Sequence, residues 1–179
     1  MAGKTWQIVL AGTGGQGLIF AGVTLAKAAV LEKKNAVQTQ SYGIQSRGGY
    51  SQAEIVISEN PIYFPKCDKP DLVLALSQAA YDRYAGKVSK ECVILYDEDC
   101  VKTLNRPGDL GFPFTAKALD LGSDKVINIL ALGGVIKLCP VAGKESIAQI
   151  IAGELAEKAL ALNLEALAIG FGAIGVRES

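Results

Sequence analysis

Two stretches of the chain carry residues whose types and spacing suit chemistry. The first is Gly12-Thr13-Gly14-Gly15-Gln16-Gly17, placed directly after the apolar run Trp6 to Ala11 and directly before a segment of good helix formers. Strand, glycine loop and helix in that order make an anion site. Glycines allow a tight turn and a close backbone approach, and the helix N-terminus adds partial positive charge. The literal pattern is G-x-G-x-x-G, so the dinucleotide fingerprint has to be tested. That fingerprint expects an acid at the end of the second strand to hold the ribose hydroxyls. Val37 to Ser41 contains none, and Glu32 falls on the helix end instead. Three readings stay open: a dinucleotide site, which the missing acid disfavours; a tight turn without a ligand; or a pyrophosphate or pantetheine-type ligand shared with a partner chain.

The second stretch is Ser41-Tyr42-Gly43-Ile44-Gln45-Ser46-Arg47-Gly48-Gly49-Tyr50-Ser51. Arg47 presents a fixed fork of donors suited to phosphate or carboxylate, and the glycines beside it admit a ligand or another backbone. The plain alternative is a connection with Arg47 in a surface ion pair. Tyr42 suits either stacking on an adenine or packing of the loop. If the sheet is parallel, the loops after its first two strands lie side by side at one edge, so both stretches form one site or one interface.

Other chemistry is excluded or weak. The chain of 179 residues has no histidine, which removes Ser-His-Asp and Cys-His catalysis and His-ligated zinc together. Its 18 basic and 18 acidic residues cancel, so no basic face for nucleic acid is indicated. Cys67, Cys92, Cys100 and Cys139 include no Cys-x-x-Cys pair, and they read as small buried apolar residues of a reducing, cytoplasmic compartment. Asp97, Glu98 and Asp99 read as a helix cap and solvated turn rather than a metal site. Asn128, inside an apolar helix, needs a partner, expected across an interface. Tyr81 and Tyr84 read as core or interface packing.

The elements that position these residues follow from periodicity. Trp6–Ala11, Asp71–Leu76 and Cys92–Tyr96 are continuous apolar runs, as strands covered on both faces require. Ala36–Ser41 is a half-polar strand, and Tyr50–Ser58 alternates. Thr115–Leu121 alternates weakly as a further strand, after a turn-rich connection over 105–113. Helices are expected over Gly17–Lys33, through Tyr81 and Tyr84, over Val126–Leu138 and over Ser146–Leu160. The first of these is apolar nearly all round, so it must be buried in the core or against another chain. Leu164–Val176 is a second nearly uncharged helical segment. With half the residues hydrophobic, such segments point to association. No apolar run is long enough to cross a membrane, and the short one at the start is not a secretory signal. The expectation is a soluble three-layer α/β/α chain with a mostly parallel or mixed sheet, one domain over residues 1–179.

Together the two glycine loops resemble the gamma subunit of 2-oxoacid:ferredoxin oxidoreductases, and the resemblance covers nearly the whole chain. Gly14-Gly15-Gln16-Gly17 matches that family's opening motif, and Ser41-Tyr42-Gly43 with Arg47-Gly48-Gly49 and Ser51 matches its second. Pro70-Asp71, Leu74-Ala75-Leu76-Ser77-Gln78 and Ala80-Tyr81-Asp82-Arg83-Tyr84 are similar to the 2-oxoglutarate-type branch. Asn163 with Ala166 and Gly170 is similar to the last helical motif. Ile44-Gln45 departs from the Pro-Glu of many relatives, which bears on substrate subclass. The resemblance implies a fold like the gamma domain of pyruvate:ferredoxin oxidoreductase. It also implies an enzyme in which a 2-oxoacid, coenzyme A and oxidised ferredoxin give acyl-CoA, carbon dioxide and reduced ferredoxin. Thiamine diphosphate, Mg2+ and iron–sulfur clusters are then expected on alpha, beta and ferredoxin-like delta partners, not on this chain. No residue here is expected to be catalytic or to hold a metal. Gly12 to Gly17, Ser41 to Gly43, Arg47 to Gly49 and Ser51 are expected to cradle coenzyme A. Two rival expectations stand beside it: a scaffold subunit binding no small molecule, and a free-standing NAD(P)-binding oxidoreductase. A homodimer of the isolated chain through its apolar faces is also open.

Overall fold

In a computed structural model, residues 3–42 and 48–175 are described, with only the backbone of Tyr42. Six strands form one sheet: β1 (Thr5–Thr13), β2 (Asn35–Tyr42), β3 (Tyr50–Ser58), β4 (Leu72–Ala75), β5 (Val93–Asp97) and β6 (Asp109–Phe112). Their order is β2-β3-β1-β4-β5-β6. β1, β4, β5 and β6 run parallel, while β3 is antiparallel to both β1 and β2. The sheet is therefore mixed.

The helices are α1 (Leu18–Leu31), α2 (Gln78–Ala85), α3 (Phe114–Asp120), α4 (Ile127–Leu138), α5 (Lys144–Glu154) and α6 (Glu157–Ala173), with a 3₁₀ turn at Asp124–Val126. Alternation along β1 sends Ile8 and Leu10 to the face where α1 and α4 pack, and Val9 and Ala11 to the face covered by α2. The larger core lies on the first face. Every residue of α4 from Ile127 to Ile136 is buried there, so its all-round apolar character reflects burial within this chain. Half of α1 and one face of α6 are likewise buried internally, while Val30 and Leu31 of α1 stay exposed.

Four expectations need correction. Thr115–Leu121 is helix, not strand: Phe114 and Ala118, one turn apart, both face the core. The strand lies earlier, at Asp109–Phe112, inside the expected turn-rich connection, where four residues were too few to show a period. Ser146–Leu160 is not one helix, because Leu155 and Ala156 are extended and separate α5 from α6. The two glycine loops do adjoin, but not because successive strands are parallel. The antiparallel β3 lies between β1 and β2 and starts opposite the end of β1, pairing Thr13 with Tyr50 and Gly12 with Ser51.

Candidate functional site

The first loop is held in shape by its own glutamine. Gln16 folds back so that its Oε1 accepts the Thr13 N–H at 2.8 Å and its Nε2 donates to the Leu76 carbonyl at 3.2 Å. A Cβ at Gly12 would collide with that same Oε1 and push the Gln16 side chain out of both bonds. Gly12 and Gln16 thus shape the loop and tie it to the end of β4.

Gly17 caps α1 in a left-handed conformation, φ 72°, with no side chain bonded to the cap. Among the described residues no side chain caps α1, so its first-turn N–H groups are open to water or a ligand. A Cβ on Gly17 would fall 2.5 Å from Asn128 Nδ2, which donates to the Gly17 carbonyl at 3.2 Å. Asn128 Nδ2 therefore finds its partner in this loop, while among the described residues its buried Oδ1 has none. Gly15, at φ 102°, is exposed with open space where a side chain would be.

From the second loop, the Gly49 carbonyl accepts the Gly14 N–H at 2.7 Å, which joins the two loops. Gly48, at φ 74°, also borders open space. Ser51 is buried in register with Gly12 and Tyr42, and Ser41 is exposed near the end of β2. Gly43, Arg47 and the Tyr42 side chain lie outside the described residues. The structure thus gathers Thr13, Gly14, Gly15, Gly48 and Gly49 at one edge, and assigns Gly12, Gln16 and Ser51 to its support.

Beside Gly15 and Gln16 opens a cavity of about 310 Å³, whose other walls include Thr115, Asp124 and Lys125. Sequence reasoning missed Thr115 and Lys125. Thr115 sits in a weakly alternating stretch that reads as a strand, and Lys125 carries no motif. The helix N-terminus and the open backbone at Gly15 favour an anion there, while the Lys125 ammonium stands beside the Asp124 carboxylate on the same wall.

The acidic stretch does cap a helix, but across the fold. Asp97, fully buried, accepts the Thr115 N–H at 3.3 Å and the Thr115 hydroxyl at 2.5 Å, and Asp99 accepts the Ala116 N–H at 2.7 Å. The first turn of α3 is thereby fixed, and with it one wall of the cavity.

A larger cleft of about 830 Å³ lies on the α2 face and was not foreseen. There Tyr50 and Tyr84 both donate to Gln52 Oε1, at 2.5 and 2.8 Å, and Gln52 Nε2 donates to Glu54 at 2.7 Å. Burial pushes both phenols above their ordinary range. Tyr84 therefore lines a polar cleft, whereas Tyr81 is core, with its hydroxyl bonded to Thr103 and Asp109.

Of the cysteines, Cys92 and Cys139 are buried, Cys67 is half-buried and Cys100 is exposed, which corrects the expectation for the last. Burial pushes the thiols of Cys67 and Cys139 up to about 12 and that of Cys92 to about 11. Unfolded thiols ionise near 9, so the folded state holds these protons longer. Its stability is expected to fall as pH rises from about 9 towards 12. Alkylation at pH 8 followed by peptide mass spectrometry is expected to modify Cys100 first, with Cys92 and Cys139 modified only in denaturant. Equal labelling of all four would contradict this burial.

Among the described residues no helix is long and apolar enough to cross a membrane. A family model described as pyruvate ferredoxin/flavodoxin oxidoreductase matches residues 7–173. The 2-oxoglutarate synthase subunit KorC of Methanocaldococcus jannaschii is 43% identical over 171 residues, which cover 92% of this chain and 91% of that one. The crystal structure of a keto/oxoacid ferredoxin oxidoreductase gamma subunit from Geobacter sulfurreducens superposes with a TM-score of 0.83 at 37% identity, covering 94% of this chain and 95% of that one. A 2-oxoglutarate:ferredoxin oxidoreductase from Magnetococcus marinus, solved with 2-oxoglutarate, coenzyme A and succinyl-CoA bound, shares the fold. Its TM-score is 0.85 at 23% identity, over 96% of this chain and 32% of that one. The loops, the mixed sheet and these matches agree: the chain belongs to the pyruvate ferredoxin/flavodoxin oxidoreductase family and is built as its gamma subunit.

Proposed function

We propose that this chain serves a 2-oxoglutarate:ferredoxin oxidoreductase and that its paired glycine loops hold the phosphate end of coenzyme A. The assembled enzyme converts a 2-oxoacid, coenzyme A and oxidised ferredoxin into acyl-CoA, carbon dioxide and reduced ferredoxin. The substrate assignment is supported by the KorC likeness over nearly the whole of both chains. The observation that carries the loop assignment is the Gly14 N–H bond to the Gly49 carbonyl. It brings the open backbone at Gly15 and Gly48 together at the uncapped head of α1.

Coenzyme A fits these residues. Its diphosphate matches the first-turn N–H groups of α1 and the Lys125 ammonium, and its 3′-phosphate suits the guanidinium of Arg47. A side chain at Gly15 or Gly48 would narrow that edge, and both positions are free of one. Coenzyme A itself supplies the thiol that accepts the acyl group. This chain binds and orients the carrier and has no part in bond making. Thiamine diphosphate, Mg2+ and iron–sulfur clusters belong, on this reading, to the alpha, beta and ferredoxin-like delta partners.

The test is reconstitution. Co-expressed with thiamine-diphosphate-binding and ferredoxin-like partner chains, this chain is expected to co-purify with them and to give ferredoxin reduction requiring both 2-oxoglutarate and coenzyme A. A chain that stays alone, or an assembly reducing ferredoxin only with a different 2-oxoacid, would overturn the assignment.

A further inference from the structure

Asn128 is costly where it stands. From Ile127 to Ile136 every residue of α4 is buried, and each except Asn128 is apolar or glycine. Asn128 is only 6% exposed, and among the described residues its Oδ1 accepts no hydrogen bond. Burying an amide oxygen without a donor lowers stability. An apolar side chain would avoid that loss in a core already built of them. A polar group kept at such a place answers a demand other than folding.

The bond made by the other end of the amide shows what the demand is. Asn128 Nδ2 donates to the Gly17 carbonyl at 3.2 Å, and the Ala21 N–H donates to the same oxygen at 3.1 Å. The amide cannot be turned round, because a carbonyl oxygen only accepts. Gly17 is the left-handed N-cap of α1, and glycine lets the adjoining peptide planes turn over at little cost. Gln16 does not prevent this, since its bonds hold Thr13 and the Leu76 carbonyl. Among the described residues, Asn128 supplies the tertiary bond to the Gly17–Leu18 peptide.

That bond also sets a donor. In a trans peptide the C=O of one residue and the N–H of the next point opposite ways. Anchoring the Gly17 carbonyl on α4 and on Ala21 therefore turns the Leu18 N–H outward from the head of α1. Among the described residues nothing accepts it. If the plane turned over, a carbonyl oxygen would stand in its place and repel an anion.

We propose that Asn128 is a positioning residue for coenzyme A: its Nδ2 locks the Gly17–Leu18 peptide so that the Leu18 N–H faces the phosphate. The role rests on the loop assignment above and adds how the donor is held ready before the ligand arrives. A site whose competent form is populated for only a fraction of the time binds with its affinity reduced by that fraction. Asn128 keeps the fraction near one, and the unpaired Oδ1 is the cost in stability.

The test uses the reconstituted complex carrying Asn128→Ala. With 2-oxoglutarate and ferredoxin saturating, the KM for coenzyme A should rise about 10-fold, as for a head of α1 competent about a tenth of the time. The kcat and the melting temperature should stay close to those of the parent. Asn128→Leu sets apolar atoms in the same space and should raise KM likewise, which covers an alanine variant that does not assemble. A merely structural residue would lower the active fraction and with it kcat, leaving KM unmoved. Hydrogen exchange without coenzyme A reads the hold itself. The Ala21 N–H shares the Gly17 carbonyl and should exchange faster in both variants.

Unchanged KM in assembled variants would overturn the inference, and so would unchanged exchange at Ala21. Titrating coenzyme A into the parent and Arg47→Ala complexes separates the two readings. If Arg47→Ala weakens binding and the Asn128 variants do not, the positioning role fails and the loop assignment stands. If neither weakens binding, the loop assignment fails and this inference falls with it.

Discussion

Gly170→Ala is expected to cost the fold about 3 kcal/mol or more, the largest stability effect of any single methyl group here. The reason is the crossing of α4 and α6. A Cβ on Gly170 would penetrate the Leu130 carbonyl oxygen and lie 2.8 Å from its carbon, and both atoms belong to the backbone of α4. Facing it, a Cβ on Gly133 would come within 2.5 Å of the Leu167 carbonyl oxygen and 2.7 Å of the Phe171 nitrogen. No rotamer relieves such contacts, so the helices must separate and open the core they close. For a chain of this length the melting temperature should drop by roughly 6–12 °C. Gly172→Ala is the control: it sits in the same helix with nothing within 4 Å of the added carbon. Alanine is the better helix former, so that variant should be neutral or up to about 1 kcal/mol more stable. Equal losses from both would show that the crossing is not as close as described.

Asp97→Ala should cost about 3 kcal/mol, and its effect should reach the candidate site. The carboxylate is fully buried and bonded to the N–H and hydroxyl of Thr115 and to the Asp99 N–H at 3.2 Å. Removing it strands those donors and uncaps α3. Thr115 lines the cavity beside Gly15, so the loss of stability should be accompanied by weaker anion binding there. Asp97→Asn keeps an acceptor and should lose less than half as much. Urea denaturation of the three chains checks the order. An alanine variant as stable as the parent would contradict the capping role.

Much of the architecture was legible because burial writes itself into composition. Leu72–Ala75 and Ile8–Ala11 are uninterrupted apolar runs since α1, α4 and α2 cover their two faces. The sheet order was less accessible. An antiparallel β3 between β1 and β2 depends on long-range pairing, and neither strand states its partner. The error at Thr115 has a local cause: Thr-Ala-Lys-Ala-Leu supports helix and strand periods about equally, and its cap, Asp97, is 18 residues away. In the site, the glycines were visible as a group, but their division of labour was not. Gly12 is glycine because Gln16 folds over it, and Gly17 because it is left-handed against Asn128, whereas Gly15 borders open space. Asn128 was marked as a polar residue needing a partner. Its contact with Gly17, 111 positions away, exists only in the folded chain. Likewise Asn163, Ala166 and Gly170 form a motif in the sequence, and the structure buries Ala166, sets Gly170 against α4 and gives Asn163 a bond to the Ala159 carbonyl at 2.9 Å.

We propose that the paired loops of this subunit hold coenzyme A. Calorimetric titration of coenzyme A into the reconstituted complex carrying Arg47→Ala tests it most directly, with assembly checked by sedimentation. A phosphate deprived of a guanidinium partner loses a charge-assisted bond, so affinity should fall about 10- to 100-fold while the complex stays intact. Unchanged affinity in an intact complex would contradict the claim and leave the loops a purely structural role.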